Sequence, residues 1–255
     1  MEKFIKEITR QAGLLTFRKF GKVGVKYTKA HALDVVTEAD LAANKIIIEG
    51  IKKKFPKHGI ISEETGEFQK DAEFVWIIDP IDGTLNFSRK IPLYAVLVAL
   101  KKGNSLEMAC AYNPVLDELY FAKRGKGAFI NGVRIYCSKQ KTLAGSVGCI
   151  SDSMKGEKLP FLNKLVKSLK GERCGVGSFY SIGICGMFAA DGRKDWFVST
   201  GSGNIWDFAA PVLIAKEAGC MVTNLEGKPW QFSEKQMVVA NKVLNKEIVK
   251  LLAGK

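Results

Sequence analysis

The stretch WIIDPIDGTLNF, residues 76–87, joins an apolar run to a dense group of polar residues. The apolar run predicts a buried strand that delivers Asp79 at its end, and Pro80 is expected to end that strand because it has no N–H to donate. Asp82 follows at once, so two carboxylates can converge on one point. Converging carboxylates repel each other unless a cation lies between them, and hard oxygen ligands suit Mg²⁺ or Mn²⁺ rather than zinc or copper. The segment therefore predicts a divalent metal site.

The next two residues, Gly83 and Thr84, are suited to an anion. Gly83 lets the backbone approach a ligand closely. If a helix begins here, the N–H groups of both residues lie at its positive end, which favours phosphate. Lys29 and His31 either meet the same phosphate or are plain surface charges. The structural alternative is an Asp-Pro turn with one capping aspartate, but that needs only one acid where the sequence has two.

The composition is that of an ordinary folded chain. It has 255 residues, of which 47% are hydrophobic and 25% are charged, so a disordered chain is excluded. No run approaches the roughly 18 apolar residues of a membrane span, and the N-terminus does not have the pattern of a secretory signal. The six cysteines stand singly in the sequence, which argues against a zinc site and a disulfide scaffold. We therefore expect a reduced, cytoplasmic protein that does not cross a membrane.

The chain is basic, with 39 Lys and Arg against 26 Asp and Glu and a formal net charge of +13. The basic residues are spread out, which favours a solvated surface. Attraction of phosphorylated substrates or of nucleic acid is the sharper alternative, and charge alone does not choose between them. No motif typical of nucleic-acid binding is present, so nucleic acid is the weaker expectation.

The pattern of apolar residues predicts two halves. Residues 1–142 are expected to form an α+β half with an antiparallel sheet and the metal site, and residues 143–255 an α/β half. The polar segment 138–145 is the candidate boundary, and residues 22–36 are expected to be irregular. The predicted helices span 2–19, 37–55, 159–170, 178–190, 207–218 and 242–252, and the predicted strands span 59–62, 74–79, 145–150, 196–198, 221–223 and 237–240, with a meander over 94–135.

Three further acidic positions have both a structural and a functional interpretation. Glu63 and Glu64 follow a short apolar run, and the pair is either a solvated turn or a further metal ligand with a general base. Thr37 is a good N-cap for the second helix, with Asp40 three residues on. Asp207 stands where a helix is expected to start, so taken alone it predicts an N-cap.

Four separated strings occur in an order that carries a resemblance. They are ISEET (61–65), WIIDPIDGTLNF (76–87), AKRGKGAFINGVRI (122–135) and IWDFAAPVLIAKEAG (205–219). Together they strongly resemble the inositol monophosphatase family of Mg²⁺-dependent, lithium-sensitive phosphatases, from Lys29 to Ala240. The resemblance implies a layered α-β-α-β-α sandwich of the sugar-phosphatase type, usually found as a homodimer.

The resemblance implies a set of metal ligands. Glu63, Asp79 and the Ile81 carbonyl would hold a first Mg²⁺ ion. Asp79, Asp82 and Asp207 would hold a second, with two or three ions in the site and Mn²⁺ as a substitute. Two metal ions about 3.5–4 Å apart clamp a phosphate, generate hydroxide near neutral pH and stabilise the leaving alkoxide. Bound cations also explain how an acidic pocket accepts an anionic substrate.

The same resemblance implies roles around the metals. Asp40 would stand close behind them, and Glu63 and Thr84 would orient and deprotonate the attacking water. The backbone groups of Gly83 and Thr84 would bind the phosphate. Lys29 would lie on a mobile loop of the active site.

The expected substrate pocket departs from the family pattern. Thr200 stands where inositol-preferring members carry a Glu, which argues against a strict inositol preference. The family often has Gly-Ser/Thr-Ala at the start of a later helix, where this chain has Gly177, Ser178 and Phe179. Phe179 and Tyr180 either stack on a base or sugar of the substrate or are core aromatics.

These features lead to one principal functional hypothesis. The chain is expected to be a Mg²⁺-dependent phosphomonoesterase acting on a small phosphorylated metabolite, a polyol or sugar, in the manner of inositol-1-monophosphatase, with water attacking phosphorus in line. Alternatives within the class are 3′(2′),5′-bisphosphate nucleotidase, fructose-1,6-bisphosphatase and histidinol-phosphatase activity. The alternative of another class is a basic partner of protein or RNA with secondary catalysis. The complete set of carboxylates favours the enzyme, because a binding-only descendant should have lost metal ligands.

Overall fold

A computed structural model describes residues 1–30, 32–151, 158–201 and 203–253. His31, offered above as a phosphate contact, lies outside the described residues. The helices are α1 (Glu2–Lys19), α2 (Glu38–Lys54), α3 (Thr84–Ser88), α4 (Lys158–Ser168), α5 (Ile182–Ala190), α6 (Ile205–Glu217) and α7 (Lys242–Leu252). The strands are β1 (Val25–Thr28), β2 (Val35–Thr37), β3 (Gly59–Ser62), β4 (Gly66–Phe68), β5 (Phe74–Asp82), β6 (Ala95–Lys102), β7 (Ser105–Asn113), β8 (Glu118–Lys123), β9 (Gly127–Ile130), β10 (Val133–Arg134), β11 (Val147–Ser151), β12 (Gly175–Gly177), β13 (Trp196–Ser199), β14 (Met221–Thr223) and β15 (Met237–Ala240).

The first half of the chain builds an eight-stranded sheet in the order β10-β9-β8-β7-β6-β5-β3-β4. Strands β5 to β10 follow one another as antiparallel neighbours, which confirms the predicted meander. β3 instead runs parallel to β5, and β4 pairs antiparallel with β3 on its other side. The ends of β3 and β5 therefore lie side by side at the same edge of the sheet.

Alternation along β5 separates two helical layers. Trp76 and Ile78 are buried with Ile8 of α1 and Ile47 of α2 on one face. Ile77 lies on the opposite face, in a hydrophobic cluster shared with α5 and α6. Successive side chains of a strand point to opposite faces, so a nearly continuous apolar run is what a sheet covered on both sides requires.

The second half builds a five-stranded sheet in the order β12-β11-β13-β15-β14. β11 pairs in parallel with β12 and β13, whereas β15 runs antiparallel to both its neighbours. Trp196 and Val198 pack with α4 and α7, and Phe197 packs with the shared cluster of α5 and α6. The layers therefore alternate as α1/α2, large sheet, α5/α6, small sheet and α4/α7, which confirms the α-β-α-β-α sandwich. The division at 142/143 stays a prediction.

Most predicted elements are confirmed to within two residues, but β5 is longer than expected. It continues through Pro80 to Asp82 because its ladder with β6 contains a bulge, in which Asp79 pairs with Leu97 and Asp82 with Ala95. Pro80 lies in that bulge, where no ladder hydrogen bond is required of it. The prediction that Pro80 ends the strand is wrong.

Two further predictions are corrected. Residues 22–36 are not irregular throughout, because β1 and β2 pair as an antiparallel hairpin. Helix α5 begins at Ile182 rather than at residue 178, because Ser181 is its N-cap and accepts the Ile184 N–H at 3.0 Å. The three residues before Ser181 are therefore free to adopt the extended and turn conformations that place them beside the site.

Helix α6 also begins earlier than predicted. Asn204 is its N-cap, and Asp207 is the third helical residue, whose Oδ2 accepts the Asn204 N–H at 2.5 Å. This is the reciprocal arrangement of a capping box. The prediction of Asp207 as N-cap is therefore wrong, although Asp207 does satisfy a backbone donor at this helix end. Among the described residues, no helix has the length and apolar composition needed to cross a membrane.

Candidate active site

The candidate site is a cavity of about 310 Å³ where β5, α3, the start of α5 and the start of α6 meet beside the β1–β2 hairpin. Seven separate stretches of the chain thus contribute to one site. Its lining residues are Leu33, Asp34, Val35, Glu63, Asp82, Gly83, Thr84, Leu85, Ser151, Tyr180, Ser181, Ile182, Ser199, Gly203, Asn204, Trp206 and Asp207.

Three aspartates converge beside this cavity. Asp79, Asp82 and Asp207 each offer a carboxylate oxygen, and these oxygens all lie within 4.8 Å of one another. The bulge in β5 brings the first two together, and the first turn of α6 supplies the third. Asp79 is only 1% exposed and Asp82 only 4%, so solvent does little to reduce the repulsion between them.

The Asp82 carboxylate lies at the N-terminus of α5. It accepts hydrogen bonds from the Ser181 hydroxyl, from the Ile182 N–H at 3.0 Å and from the Gly183 N–H at 2.8 Å. Burial raises the pKa of Asp82 to about 6, and these three donors oppose the rise because they favour the ionised form. The sequence analysis missed these partners, although a serine followed by an apolar run is a recognisable N-cap signal.

Asp79 is the least compensated member of the group. Its Oδ1 is buried and has no hydrogen-bond partner among the described residues. Burial raises the pKa of Asp79 well above its ordinary value, and Glu63, Asp82 and Asp207 raise it further. An oxygen-only donor set with an unsatisfied buried oxygen fits a hard divalent cation such as Mg²⁺. The residues present therefore fit a metal ion, as the resemblance implied.

Glu63 and Glu64 are held together by Lys29. The Lys29 ammonium donates to Glu63 Oε1 at 2.9 Å and to Glu64 Oε1 at 2.8 Å. The Glu64 side chain is 2% exposed, so the interpretation of this pair as a solvated turn is wrong. The Lys29 N–H donates to the Asp34 carbonyl at 2.8 Å, which closes the loop between β1 and β2. This loop therefore reaches the site through an ion pair.

Thr84 links the site to the start of α2. Its hydroxyl oxygen lies 3.0 Å from Asp40 Oδ1 and 2.8 Å from the Ile81 carbonyl. Asp40 Oδ2 accepts from the Thr37 N–H at 2.9 Å and from the Thr37 hydroxyl at 2.5 Å. The prediction that Thr37 is the N-cap of α2 is therefore confirmed. The same capping box also holds Asp40 in place behind Thr84. Burial raises the pKa of Asp40 to about 7.

Gly83 occupies a position that no other residue fits. Its φ of +90° lies in the left-handed region, and a Cβ there would come within 3.0 Å of the Ser181 Cβ and 3.1 Å of the Leu93 carbonyl. The neighbouring Asn86 side chain donates to Leu93 O at 2.7 Å and to Phe179 O at 2.6 Å. These contacts fasten the turn after β5 to the segment that leads into α5.

Five of the expected substrate contacts lie outside the residues that line the described cavity: Lys29, Gly177, Ser178, Phe179 and Thr200. The Phe179 ring packs edge-on against Phe188 at 6.0 Å, with the Lys194 ammonium 5.3 Å from its centroid. Thr200 is buried, and its carbonyl accepts from Gln236 at 2.8 Å. Tyr180 does line the cavity and is 49% exposed.

The five alternating layers, with convergent carboxylates at the end of a central strand, place this chain among the metal-dependent phosphatases, which are phosphoric monoester hydrolases. The model of the inositol monophosphatase family matches residues 1–254, and the chain belongs to that family.

Individual relatives agree with this assignment. A Thermotoga maritima protein named fructose-1,6-bisphosphatase/inositol-1-monophosphatase is 33% identical over 246 residues, covering 96% of this chain and 93% of the relative. The Nus factor SuhB of Escherichia coli K12 is 35% identical over 222 residues, covering 86% and 82%. The crystal structure of the extragenic suppressor protein SuhB from Bartonella henselae has a TM-score of 0.91 at 31% identity, covering 98% of this chain and 97% of that one.

Proposed function

We propose that this chain is a Mg²⁺-dependent phosphomonoesterase of small phosphorylated polyols or sugars, with inositol 1-phosphate as the type of substrate. The observation that carries the proposal is the group of three aspartate oxygens within 4.8 Å, two of them on buried residues, and one buried oxygen of Asp79 has no partner among the described residues. A buried acidic group of this kind requires cations, and bound cations make the pocket attractive to a phosphate.

The oxygens of this chain would hold the ions. Asp79 would be shared, with Glu63 and the Ile81 carbonyl on one side and Asp82 and Asp207 on the other. When bound, divalent ions there would supply neutralisation of the phosphate charge and activation of the attacking water. We propose two or three Mg²⁺ ions, with Mn²⁺ as a substitute because it takes the same hard ligands.

Thr84 is proposed to orient the attacking water, together with Glu63. The Thr84 hydroxyl has one proton, which it donates to Asp40 at 3.0 Å or to the Ile81 carbonyl at 2.8 Å. In either case its lone pairs stay available to accept a hydrogen bond from water. Asp40, fixed by Thr37, is a positioning residue for Thr84 and can take up its proton.

Lys29 and Gly83 are proposed to shape the phosphate side of the pocket. The backbone N–H groups of Gly83 and Thr84 would donate to phosphate oxygens, because Gly83 has no side chain to shield them. Lys29 already shares its ammonium between two carboxylates at 2.9 and 2.8 Å. Its proposed role is therefore to position Glu63 and to add positive charge at the rim.

Tyr180 is proposed to set the shape of the leaving-group side. Its ring is 49% exposed and lines the cavity, whereas Phe179 is packed against Phe188. A flat ring at this position favours the apolar face of a cyclic polyol or sugar. Gly177, Ser178 and Thr200 would act from further away, and the absence of an acid at Thr200 argues for a preference broader than inositol.

The decisive experiment is phosphate release from a panel of substrates, measured with Mg²⁺ and with EDTA. The panel contains inositol 1-phosphate, fructose 1,6-bisphosphate, adenosine 3′,5′-bisphosphate, histidinol phosphate and NADP. We expect Mg²⁺-dependent release that is fastest with a cyclic polyol or sugar phosphate. Equal rates in EDTA would contradict the metal assignment, and fastest release from the nucleotide would move the proposal to the bisphosphate nucleotidase alternative.

A second candidate function is a binding role, with catalysis secondary. It is favoured by the net charge of +13 and by the relatives named Nus factor SuhB. Binding of a fluorescent single-stranded RNA at two salt concentrations tests it, because contacts to phosphates weaken steeply with salt. The Asp82→Asn variant should lose turnover and keep such binding. We also propose a cytoplasmic homodimer, for which sedimentation of the purified chain gives the oligomeric state.

A further inference from the structure

Two cysteines meet where the segment before β11 crosses the end of α6. The Cys137 N–H donates to the Ala218 carbonyl at 3.0 Å, and the Cys220 N–H donates to the Ala215 carbonyl at 2.9 Å. Gly219 turns the chain between them with a φ of +93°. Both hydrogen bonds go to the last turn of α6, so they fix the two cysteine backbones relative to the same helix end.

The two thiols are neighbours. A Cβ at Gly219, the residue before Cys220, would lie 3.9 Å from the Cys137 sulfur, and both cysteine side chains pack in the hydrophobic cluster under α6. The Cys220 sulfur also lies 3.6 Å from the Ala189 carbonyl. All six cysteines of the chain are free thiols, so this contact is between two reduced side chains.

The two thiols differ in exposure and in acidity. Cys137 is half-buried, whereas Cys220 is only 7% exposed. The hydrogen bond from Cys220 lowers the pKa of Cys137 to about 7, and the same contact with burial raises the pKa of Cys220. The thiolate is the form that reacts with peroxides and disulfides. Cys137 is therefore suited to be attacked first, and Cys220 to react with the product.

We propose that Cys137 and Cys220 form a reversible redox couple, which a peroxide converts into a disulfide between the segment before β11 and the end of α6. The Cys137 thiolate attacks one oxygen of hydrogen peroxide, so that an S–O bond forms, the O–O bond breaks and hydroxide leaves as water after taking a proton. The Cys220 sulfur then attacks the sulfenic acid at Cys137. The S–S bond forms, the S–O bond breaks, and a second water leaves with the Cys220 proton.

This couple lies outside the cavity lined by the catalytic candidates, and it acts on the fold. The bond would tie the residue just before the predicted boundary segment 138–145 to the turn that follows α6, the helix whose first turn carries Asp207. Because a cross-link restricts mainly the unfolded chain, the oxidised protein should unfold at a higher temperature than the reduced protein.

The test is mass spectrometry of the full chain after treatment with hydrogen peroxide under native conditions. We expect a loss of two hydrogens per chain, a Cys137–Cys220 cross-linked peptide after digestion, and full reversal by dithiothreitol. The unfolding temperature should rise by several degrees on oxidation and fall back on reduction.

Three variants make the result specific. Cys137→Ser and Cys220→Ser should each abolish the cross-link and the rise in unfolding temperature, and Cys220→Ser should leave a trappable sulfenic acid on Cys137. Cys174→Ser is the matched control, because Cys174 is also half-buried but makes no thiol contact within the described residues; it should behave as the wild type. A disulfide that survives Cys137→Ser, or peroxide treatment that leaves both thiols free, overturns the proposal.

Discussion

Two acidic groups of this protein differ in how the negative charge of their clustered carboxylates is balanced. At the start of β8, Arg193 donates to both Glu118 oxygens at 2.9 and 2.7 Å and to Asp191 at 2.8 Å, and the Tyr120 hydroxyl donates to Asp191 at 2.7 Å. Beside β5, Asp79 and its neighbours converge within 4.8 Å with no arginine or lysine bound to the three aspartates among the described residues.

This difference in charge balance indicates different roles for the Arg193 group and the Asp79 group. The Arg193 group carries its own cation and is complete within the chain, as structural acidic groups must be when they are partly buried. The Asp79 group leaves one buried oxygen without a partner, and its charge is balanced only if cations come from solution. We therefore propose that the first group contributes to stability and that the second gives up stability for the capacity to bind metal.

The largest expected effect comes from removing one metal ligand. Asp82→Asn should lower Mg²⁺-dependent phosphate release about a thousandfold, because loss of several kcal/mol of charge stabilisation costs about tenfold in rate per 1.4 kcal/mol. Circular dichroism should show a folded protein. Asp71→Asn, on the exposed loop before β5, is the matched control and should keep wild-type turnover. Near-normal activity of Asp82→Asn would mean that this carboxylate is not a ligand.

The next largest effect is the stabilisation of the folded chain by Mg²⁺, which should depend on the Asp79 group and not on the Arg193 group. Mg²⁺ at about 100 times its dissociation constant should raise the free energy of unfolding of the wild type by about 3 kcal/mol, because it binds only the folded chain. Asp79→Asn should reduce this gain and should itself raise the stability measured in EDTA, since it removes the least compensated carboxylate. Chemical denaturation of both proteins, with and without Mg²⁺, gives the four values. Equal gains in both would contradict the shared-ligand role of Asp79.

The Arg193 group is tested by removing its cation. Arg193→Met should lower the free energy of unfolding by about 2 kcal/mol, less than the 3–5 kcal/mol of a fully buried pair, because the Arg193 side chain is 40% exposed. Mg²⁺ should not restore this loss. In Arg10→Met, the matched control, the broken ion pair with Asp117 is exposed on both sides, so a change below about 0.5 kcal/mol is expected. A similar loss of unfolding free energy in both variants would contradict the proposed stabilising role of the Arg193 group.

The last effect is a pH dependence that should exist only without metal. Burial raises the pKa of Asp82 to about 6 and that of Asp40 to about 7, so the folded chain binds these protons more tightly than the unfolded chain. In EDTA, the free energy of unfolding should therefore fall as the pH rises from about 4 through 6 to 7, by up to about 1.4 kcal/mol per pH unit for each of the two carboxyls. Saturating Mg²⁺ should flatten this slope. Stability in EDTA that rises over this range would contradict the raised pKa values.

The order of elements was predictable because it follows from local patterns. The apolar periods of α1 and α2, the capping box at Thr37 and the meander turns are all confirmed. The predicted element boundaries were wrong where contact with a distant segment outweighs the local preference of a residue. Proline is expected to end a strand, but in β5 Pro80 lies in a bulge of the ladder with β6. The residues around Pro80 do not predict that bulge.

The candidate site shows the same division. Its carboxylates were identified from the motif, and Ser181 was missed because it lies far along the chain from Asp82, whose partner it is. Glu64 had the sequence of a solvated pair but is buried, because Lys29 of the β1–β2 loop covers it. Phe179 and Tyr180 are neighbours in the sequence, yet only the latter lines the cavity.

The sequence by itself determined the order of the elements, through apolar periodicity, and the family, through short motifs, because both are local properties of the chain. The layered fold and the set of acids followed from the resemblance to that family. The tertiary structure alone decided which acids are compensated. Whether a carboxylate gains a partner depends on groups that arrive from distant segments, as the start of α5 does for Asp82 and Arg193 does for Asp191. Asp79 keeps one buried oxygen, Oδ1, without a partner among the described residues, and this oxygen supports the proposal that the site binds metal.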